Sequence, residues 1–346
     1  MISLNSLTLI LVHCMKLHQK ISSTKLTQLI CENKVADFGV YTGALESTNT
    51  NAFDGNKGWK SARRWQRKSW IFVGIYTPEV SIGFAMVDAG YLGKAFCYVH
   101  FNDGSAALEN GIDKPFGFDA NFEGNLDSAW QLGNYKILPQ GDQQYRLQYT
   151  GKKFELTIDF SDQTNGLSFV CPSEQNSKRP FHFTYKNALL PMQVQLKQGK
   201  QQKSYTDVLG SLDFSKGYPP RHTTWNWLSF TGETSDRIAV GINLVDGFND
   251  NMENAIWIGD DVQLLGEVQF DYQAPLAQSD WKVSNQTDSL LLTLAPKGSR
   301  KENINLQLLK SKFIQVFGEI NGKVKINNGW VTLKGHGVME EHESFW

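Results

Sequence analysis

From residue 69 onward the chain is a succession of short apolar or alternating runs of β-branched and aromatic residues, and no long window repeats at the helical i, i+3, i+4 spacing. The runs fall at 69–76, 80–88, 95–101, 145–149, 154–160, 167–171 and 181–185, then at 223–230, 238–245, 255–259, 262–272, 289–295, 313–321 and 330–338. Turn residues separate them: Asn102-Asp103-Gly104, Gly141-Asp142, Thr150-Gly151, Asn321-Gly322 and Asn327-Asn328-Gly329. Helix is confined to a few turns, with residues 22–31 the expected place. About fifteen strands with hairpin links predict an all-β chain of one or two closed or sandwiched antiparallel sheets. The lysine- and glutamine-rich stretch 197–205 carries no apolar period and is the expected domain junction. The expected division is a peripheral extension over 1–35, one β domain over 36–200 and a second over 201–346.

Composition narrows the partners. The 34 basic and 35 acidic residues nearly cancel, so the chain lacks the basic surplus of a phosphate-backbone binder. One basic run, Lys57, Lys60, Arg63, Arg64, Arg67 and Lys68, is interleaved with Trp59, Trp65 and Trp70; it reads as a solvated loop leading into a strand, and no nucleic-acid partner is expected. The cysteines at 14, 31, 97 and 171 form neither a C-x-x-C pair nor a zinc spacing, which points to reduced thiols and a cytoplasmic setting. The apolar run 7–12 has no preceding basic residue and falls far short of the ~20 residues of a spanning helix, so no transmembrane segment is expected. Met15 is an alternative start.

Candidate chemistry concentrates between His222 and Trp257. In a strand, residues two apart share a face, so Trp225 and Trp227 point one way and Asn226 the other. Two indoles on one face can wall an apolar pocket, or pack in a core. Asn243 interrupts an apolar strand, where a buried amide costs free energy unless paired. Glu253 and Asn254 stand just before the run Ala255-Ile-Trp257, where they read either as site residues or as a turn network. Near the end, His336, Glu340, Glu341, His342 and Glu343 gather imidazoles and carboxylates without any metal-ligand spacing, and no metal is expected. Glu340 and His342 share a strand face, which suits acid–base work or an ion pair equally well. In the first half, Lys68, Trp70, Asp88 and Tyr91 are the counterparts. No serine-hydrolase elbow, phosphate loop or dinucleotide fingerprint is present, and no motif asks for a cofactor.

These segments carry a resemblance. Lys68-Ser-Trp70, Val87-Asp88-Ala-Gly-Tyr91, Trp225-Asn-Trp227, Gly241-Ile-Asn243-Leu, Glu253-Asn254-Ala-Ile-Trp257, Gln315-Val-Phe317-Gly318 and Gly337-Val-Met-Glu340-Glu-His342, with Trp346, resemble the family named domain of unknown function 2804. The chain departs from the family's usual pattern at Met252 and in an insert-like Asp250-Asn251. That family is similar to tandem lipocalin-like barrel proteins: carotenoid 1,2-hydratases, AttH-like proteins and lipocalin-type cyclases. The resemblance implies two lipocalin-like antiparallel barrels in tandem with an apolar cavity at or between them, but transfers no catalytic residue.

Three readings follow. In the first, the chain is a cofactor-independent hydratase, isomerase or cyclase in which a buried carboxylic acid (Glu253, Glu340 or Asp88) protonates an apolar substrate. His222, Trp225, Trp227, Asn243, Asn254, Trp257, Tyr91, Lys68, Trp70 and His342 would then line the cavity. In the second, the same cavity holds a lipid or other apolar molecule without catalysis. In the third, the tryptophans stack on sugars in a shallow open groove of a β-sandwich.

Overall fold

The computed structural model of the chain describes residues 20–346 apart from 56, 58, 59, 118, 119, 123–125, 127, 164, 174–179, 306–309 and 328. Cys14, Met15, Trp59 and the 7–12 run lie outside the described residues. Almost every described element is a strand, arranged in one 14-stranded sheet, one 9-stranded sheet and a small hairpin of Ile30–Cys31 with Lys34–Val35. The two large sheets curl into a nearly closed barrel and a half-barrel in tandem. The larger sheet runs from Leu108–Pro115 through Leu92–Phe101, Val80–Asp88 and Lys68–Tyr76 to Gln201–Gly217, Phe181–Gln198 and the strands between Ala120 and Ser161. The smaller is ordered Asp261–Leu264, Ala255–Ile258, Ala239–Asp246, His222–Thr234, Gly329–Phe345, Lys310–Ile326, Leu290–Asn305, Trp281–Asn285 and Val268–Asp271.

Each sheet fills its own interior. Ile71, Val73 and Ile75 point into the first core with Phe181, Phe183, Tyr185 and Phe214. Leu228, Phe230, Ile242, Val316 and Met339 fill the second. The alternate residues of the same strands are also apolar: Phe72, Tyr76, Ala85, Phe96 and Tyr98 meet Trp227, Val245, Phe317 and Val338 in a cluster between the sheets. This explains why SWIFVGIY reads as a nearly continuous apolar run rather than as a one-sided alternation, since strands covered on both faces lose the polar half of the pattern. The approach of the two sheets is close. At Gly241 a Cβ would come 2.4 Å from the carbonyl oxygen of Ala188, so only glycine fits.

Four expectations need correction. Residues 197–205 are not a junction: they form the exposed tip of the hairpin between Phe181–Gln198 and Gln201–Gly217, with Gly199 at φ +58°. The chain passes between the sheets at 218–221, where Pro219 and Pro220 remove ladder donors. Residues 22–31 hold short strand pairings rather than helix, and Leu29 is fully buried in the first core, so this stretch is not peripheral. The described α-helix is Ala62–Gln66, inside the basic run. That run is solvated only in its first half, where Lys57, Lys60 and Arg63 are exposed; in its second half Arg67 is buried against Asp54 at 3.1 Å, and Arg64 pairs with Asp88 at 2.8 Å. Cys31, Cys97 and Cys171 are unbridged, and no helix among the described residues is long and apolar enough to cross a membrane.

Candidate functional site

Between the sheets lies an aromatic-lined cavity of about 130 Å³. Its place follows from strand parity. On the first sheet, Trp70 and Phe72 turn outward beside Ala85, Val87 and Phe96, with Lys186 and Asp213 directly opposite each other on neighbouring strands. On the second, two cross-strand rows face them: Val245, Trp227, Glu340, Gln315 and, one step along, Trp225, His342, Phe313. Phe248, Glu253 and Trp346 complete the wall.

Two polar groups are set into this apolar surface. In one, the Lys186 ammonium lies 2.5 Å from Asp213 and 2.9 Å from Glu253. Asn249 donates to the other oxygen of Glu253, and Asn243 donates to the Glu253 carbonyl oxygen at 2.9 Å while accepting from the indole of Trp227. Burial raises the Glu253 carboxyl above its ordinary value, against the pull of Lys186, and Asp213 raises it further. Burial alone would lower Lys186, but Asp213 and Glu253 outweigh it and hold the ammonium charged.

In the other, Glu340 accepts from the Trp225 indole at 3.0 Å and from the Gln315 amide at 2.7 Å. His342 Nδ1 lies 3.1 Å from the same carboxylate, while its Nε2 meets the hydroxyls of Ser311 and Ser344, each at 3.0 Å. With Nδ1 donating to Glu340, Nε2 accepts from serine, and the ring is held in one tautomer. The order serine–imidazole–carboxylate matches a nucleophile triad in connectivity only: neither serine lines the cavity, and Ser344 is fully buried.

Among the residues expected at the site, Trp70, Trp225, Trp227, Glu253, Glu340 and His342 converge on the cavity wall, with Asn243 behind it. The others lie elsewhere. Asp88 pairs with Arg64 and accepts from the Gly90 amide, capping a turn rather than offering an acid. Lys68 donates to the carbonyls of Trp65 and Ala89 and sits 4.4 Å over the ring of Tyr91, so both close that same turn. Trp257 packs with Val40, Leu167 and Phe169 and donates to the Asn165 carbonyl. Asn254 satisfies loop backbone at Val245 and Gly266. His222 is exposed, stacked on Phe345 at 4.0 Å and bonded to Glu343.

Sequence reasoning missed Lys186, Asp213, Phe248 and His182, and gave Gln315 only as part of a matching segment. A lysine inside the run FHFTYKNALL was the available signal, since a cation in an apolar strand needs a partner. His182 is fully buried, stacked on Trp70 with centroids 5.0 Å apart and edge-on to Phe248. Burial, and then the charge of Lys186, push it down to about 3, so its imidazole is neutral. Phe248 also borders a second, polar cavity of about 470 Å³ that opens beside His222. It stands between the two on a loop where Asn249, Asp250 and Asn251 all have positive φ.

An all-β tandem of barrel and half-barrel with an aromatic cavity at the seam defines the class of protein. The chain belongs to the family described as Domain of unknown function (DUF2804), whose model matches residues 22–346. The match reaches further toward the N-terminus than the segments that carried the resemblance. Comparison with curated proteins returned no match. Among solved structures the chain is similar to an AttH-like protein of Nitrosomonas europaea, with a TM-score of 0.53 and 14% identity over 80% of this chain and 92% of that one. It is also similar to kievitone hydratase from Nectria haematococca, with a TM-score of 0.53 and 12% identity over 79% and 88%. At these identities the likeness concerns the fold.

Proposed function

We propose that the chain binds an apolar small molecule in the cavity between its two sheets and transfers a proton to it without a cofactor, as a hydratase, isomerase or cyclase does. The observation that supports this is a buried carboxyl, Glu253, set in a wall rich in aromatic side chains and with its proton affinity raised by burial. A carboxylic acid so placed keeps its proton nearer neutrality than one in water. The Glu340–His342 pair across the seam is the complementary base. Trp70, Trp225 and Trp227 offer π faces to positive charge that develops when an alkene or carbonyl is protonated. That one of the solved structures of this fold is a hydratase agrees with the reading.

Non-catalytic binding is the second reading, favoured by the engagement of both carboxylates: Lys186 and Asn249 hold Glu253, while Trp225, Gln315 and His342 hold Glu340. The carbohydrate reading expected an open groove, whereas these rings are sandwiched between two sheets. The expected occupancy of a barrel interior also moves, because both interiors are filled by side chains.

Binding is tested by tryptophan fluorescence. A neutral aromatic probe of one ring, no larger than benzene, should quench the intrinsic emission of the wild type saturably, and the double variant Trp225→Leu, Trp227→Leu should lose the saturable component. Saturable quenching of equal depth and midpoint in the double variant would place the ligand elsewhere.

A further inference from the structure

The cavity wall is chemically one-sided. Its ionisable residues are Asp213, Glu253, Glu340, Lys186 and His342. In the lining three carboxyl side chains face one ammonium, and one further cation is already drawn to the outside of the wall, where the Arg300 guanidinium lies 4.1 Å over Phe96 and 4.9 Å over Phe313. The remaining wall is largely tryptophan and phenylalanine, whose π faces attract cations and whose apolar surroundings strengthen that attraction.

The hydrogen-bonding inventory points the same way. The indole of Trp225 is spent on Glu340, that of Trp227 on Asn243 and that of Trp346 on the Thr223 hydroxyl. The amide nitrogen of Gln315 is spent on Glu340 as well. Its carbonyl oxygen, by contrast, is buried in the wall with no hydrogen-bond partner. A buried acceptor without a donor costs free energy that a ligand's N–H group would recover. The wall therefore offers acceptors and negative charge to whatever enters, and turns away a free carboxylate or phosphate. In size, a cavity of about 150 Å³ holds a benzene molecule, and this one is about 130 Å³.

We infer that the ligand of this cavity is an organic cation: a protonated amine on a small apolar or aromatic body, its N–H donating to Gln315 Oε1 beside Glu340 and its body packed among Trp70, Trp225 and Phe313. This rests on the second, non-catalytic reading above and names the ligand class for it. Fatty acids and other anionic lipids are excluded as ligands of this cavity.

The test compares three probes of one shape by isothermal calorimetry at neutral pH: benzylammonium, benzyl alcohol and benzoate. Benzylammonium should bind about tenfold or more tighter than benzyl alcohol, the scale of a desolvated cation–π and charge contact, and benzoate should not bind. Glu340→Gln keeps the shape and removes the charge. It should bring benzylammonium down to the affinity of benzyl alcohol, whose own binding stays within twofold. Benzyl alcohol binding as tightly as the amine, or benzoate binding at all, overturns the cation assignment and leaves the apolar pocket standing. A preference for the amine that survives Glu340→Gln overturns the placement of the cation at Gln315 and Glu340. If none of the three probes binds, both the cation assignment and the binding reading fall.

Discussion

Replacing His182 by phenylalanine should make the protein markedly less sensitive to acid. The imidazole is buried, neutral, and held at about 3 by burial and by Lys186, whereas in the unfolded chain it titrates at its ordinary value of 6.5. A group depressed in the folded state contributes stability that is present above its unfolded value and is lost as pH falls toward the folded one. Below pH 6.5 the unfolded chain binds a proton that the folded chain refuses, which costs the wild type about 1.4 kcal/mol per pH unit, or roughly 2–3 kcal/mol by pH 4.5. Glu253 works in the opposite direction over part of this range: its folded value is raised, so its contribution is present at low pH and is lost as pH rises through that value. Because both proteins contain Glu253, the difference between them isolates His182. Urea unfolding of wild type and His182→Phe at pH 7 and pH 4.5 measures it. The variant should be within about 1.5 kcal/mol of wild type at pH 7, as an aromatic ring is exchanged for another of similar volume, and should gain on it by the amount above at pH 4.5. Parallel losses in the two proteins would mean that His182 is solvated or protonated in the folded chain.

Lys186→Met should be the most damaging single change at the site. The lysine is 3% exposed and is the shared cation of Asp213 and Glu253. Removing one member of a buried ionic group leaves uncompensated charge, at a cost of about 3–5 kcal/mol. In the variant both carboxyls have folded values above their unfolded ones, so stability is present at low pH and is lost as pH rises. The deficit should therefore be largest at pH 8 and shrink toward pH 5. Adding Glu253→Gln and Asp213→Asn should restore most of it, since replacing the whole group removes the charges along with the missing partner. A pH-independent deficit below about 1 kcal/mol would show that water, not Lys186, solvates these carboxylates.

These two residues mark where the sequence stopped being legible. Hydrophobic alternation and turn residues identified the strands and the all-β class, because each sheet must bury a face and strands report that with period two. Parity alone put Trp225 with Trp227, and Glu340 with His342, on shared faces, and the long strand Gly329–Phe345 keeps the second pair in register. What parity cannot say is which face meets which between strands far apart in the chain. Lys186 and Asp213 are partners only because two strands pair at that register, and Glu253 joins them only because a loop of the second sheet folds over the first. Asp88 and Lys68 were candidates by type, but their chemistry is consumed locally by Arg64 and by turn carbonyls, and Tyr91 serves as the ring under Lys68. The end of the basic run 57–68 misled for a related reason: Arg64 and Arg67 turn to partners, Asp88 and Asp54, that composition does not connect to them.

The central claim is that the seam between the sheets, and not a barrel interior, is where a small molecule binds. Native mass spectrometry after purification tests it most directly, comparing the wild type with Ala85→Phe, which places a ring in the cavity at a wall position between Phe72 and Phe96. Near-ultraviolet circular dichroism and the melting temperature establish that the variant is folded, and Ala85→Leu supplies a smaller filling if it is not. Wild type should carry, or take up when offered benzylammonium, one small molecule per chain, and the folded filled variant should carry none. Equal occupancy in the filled and unfilled proteins would contradict the account.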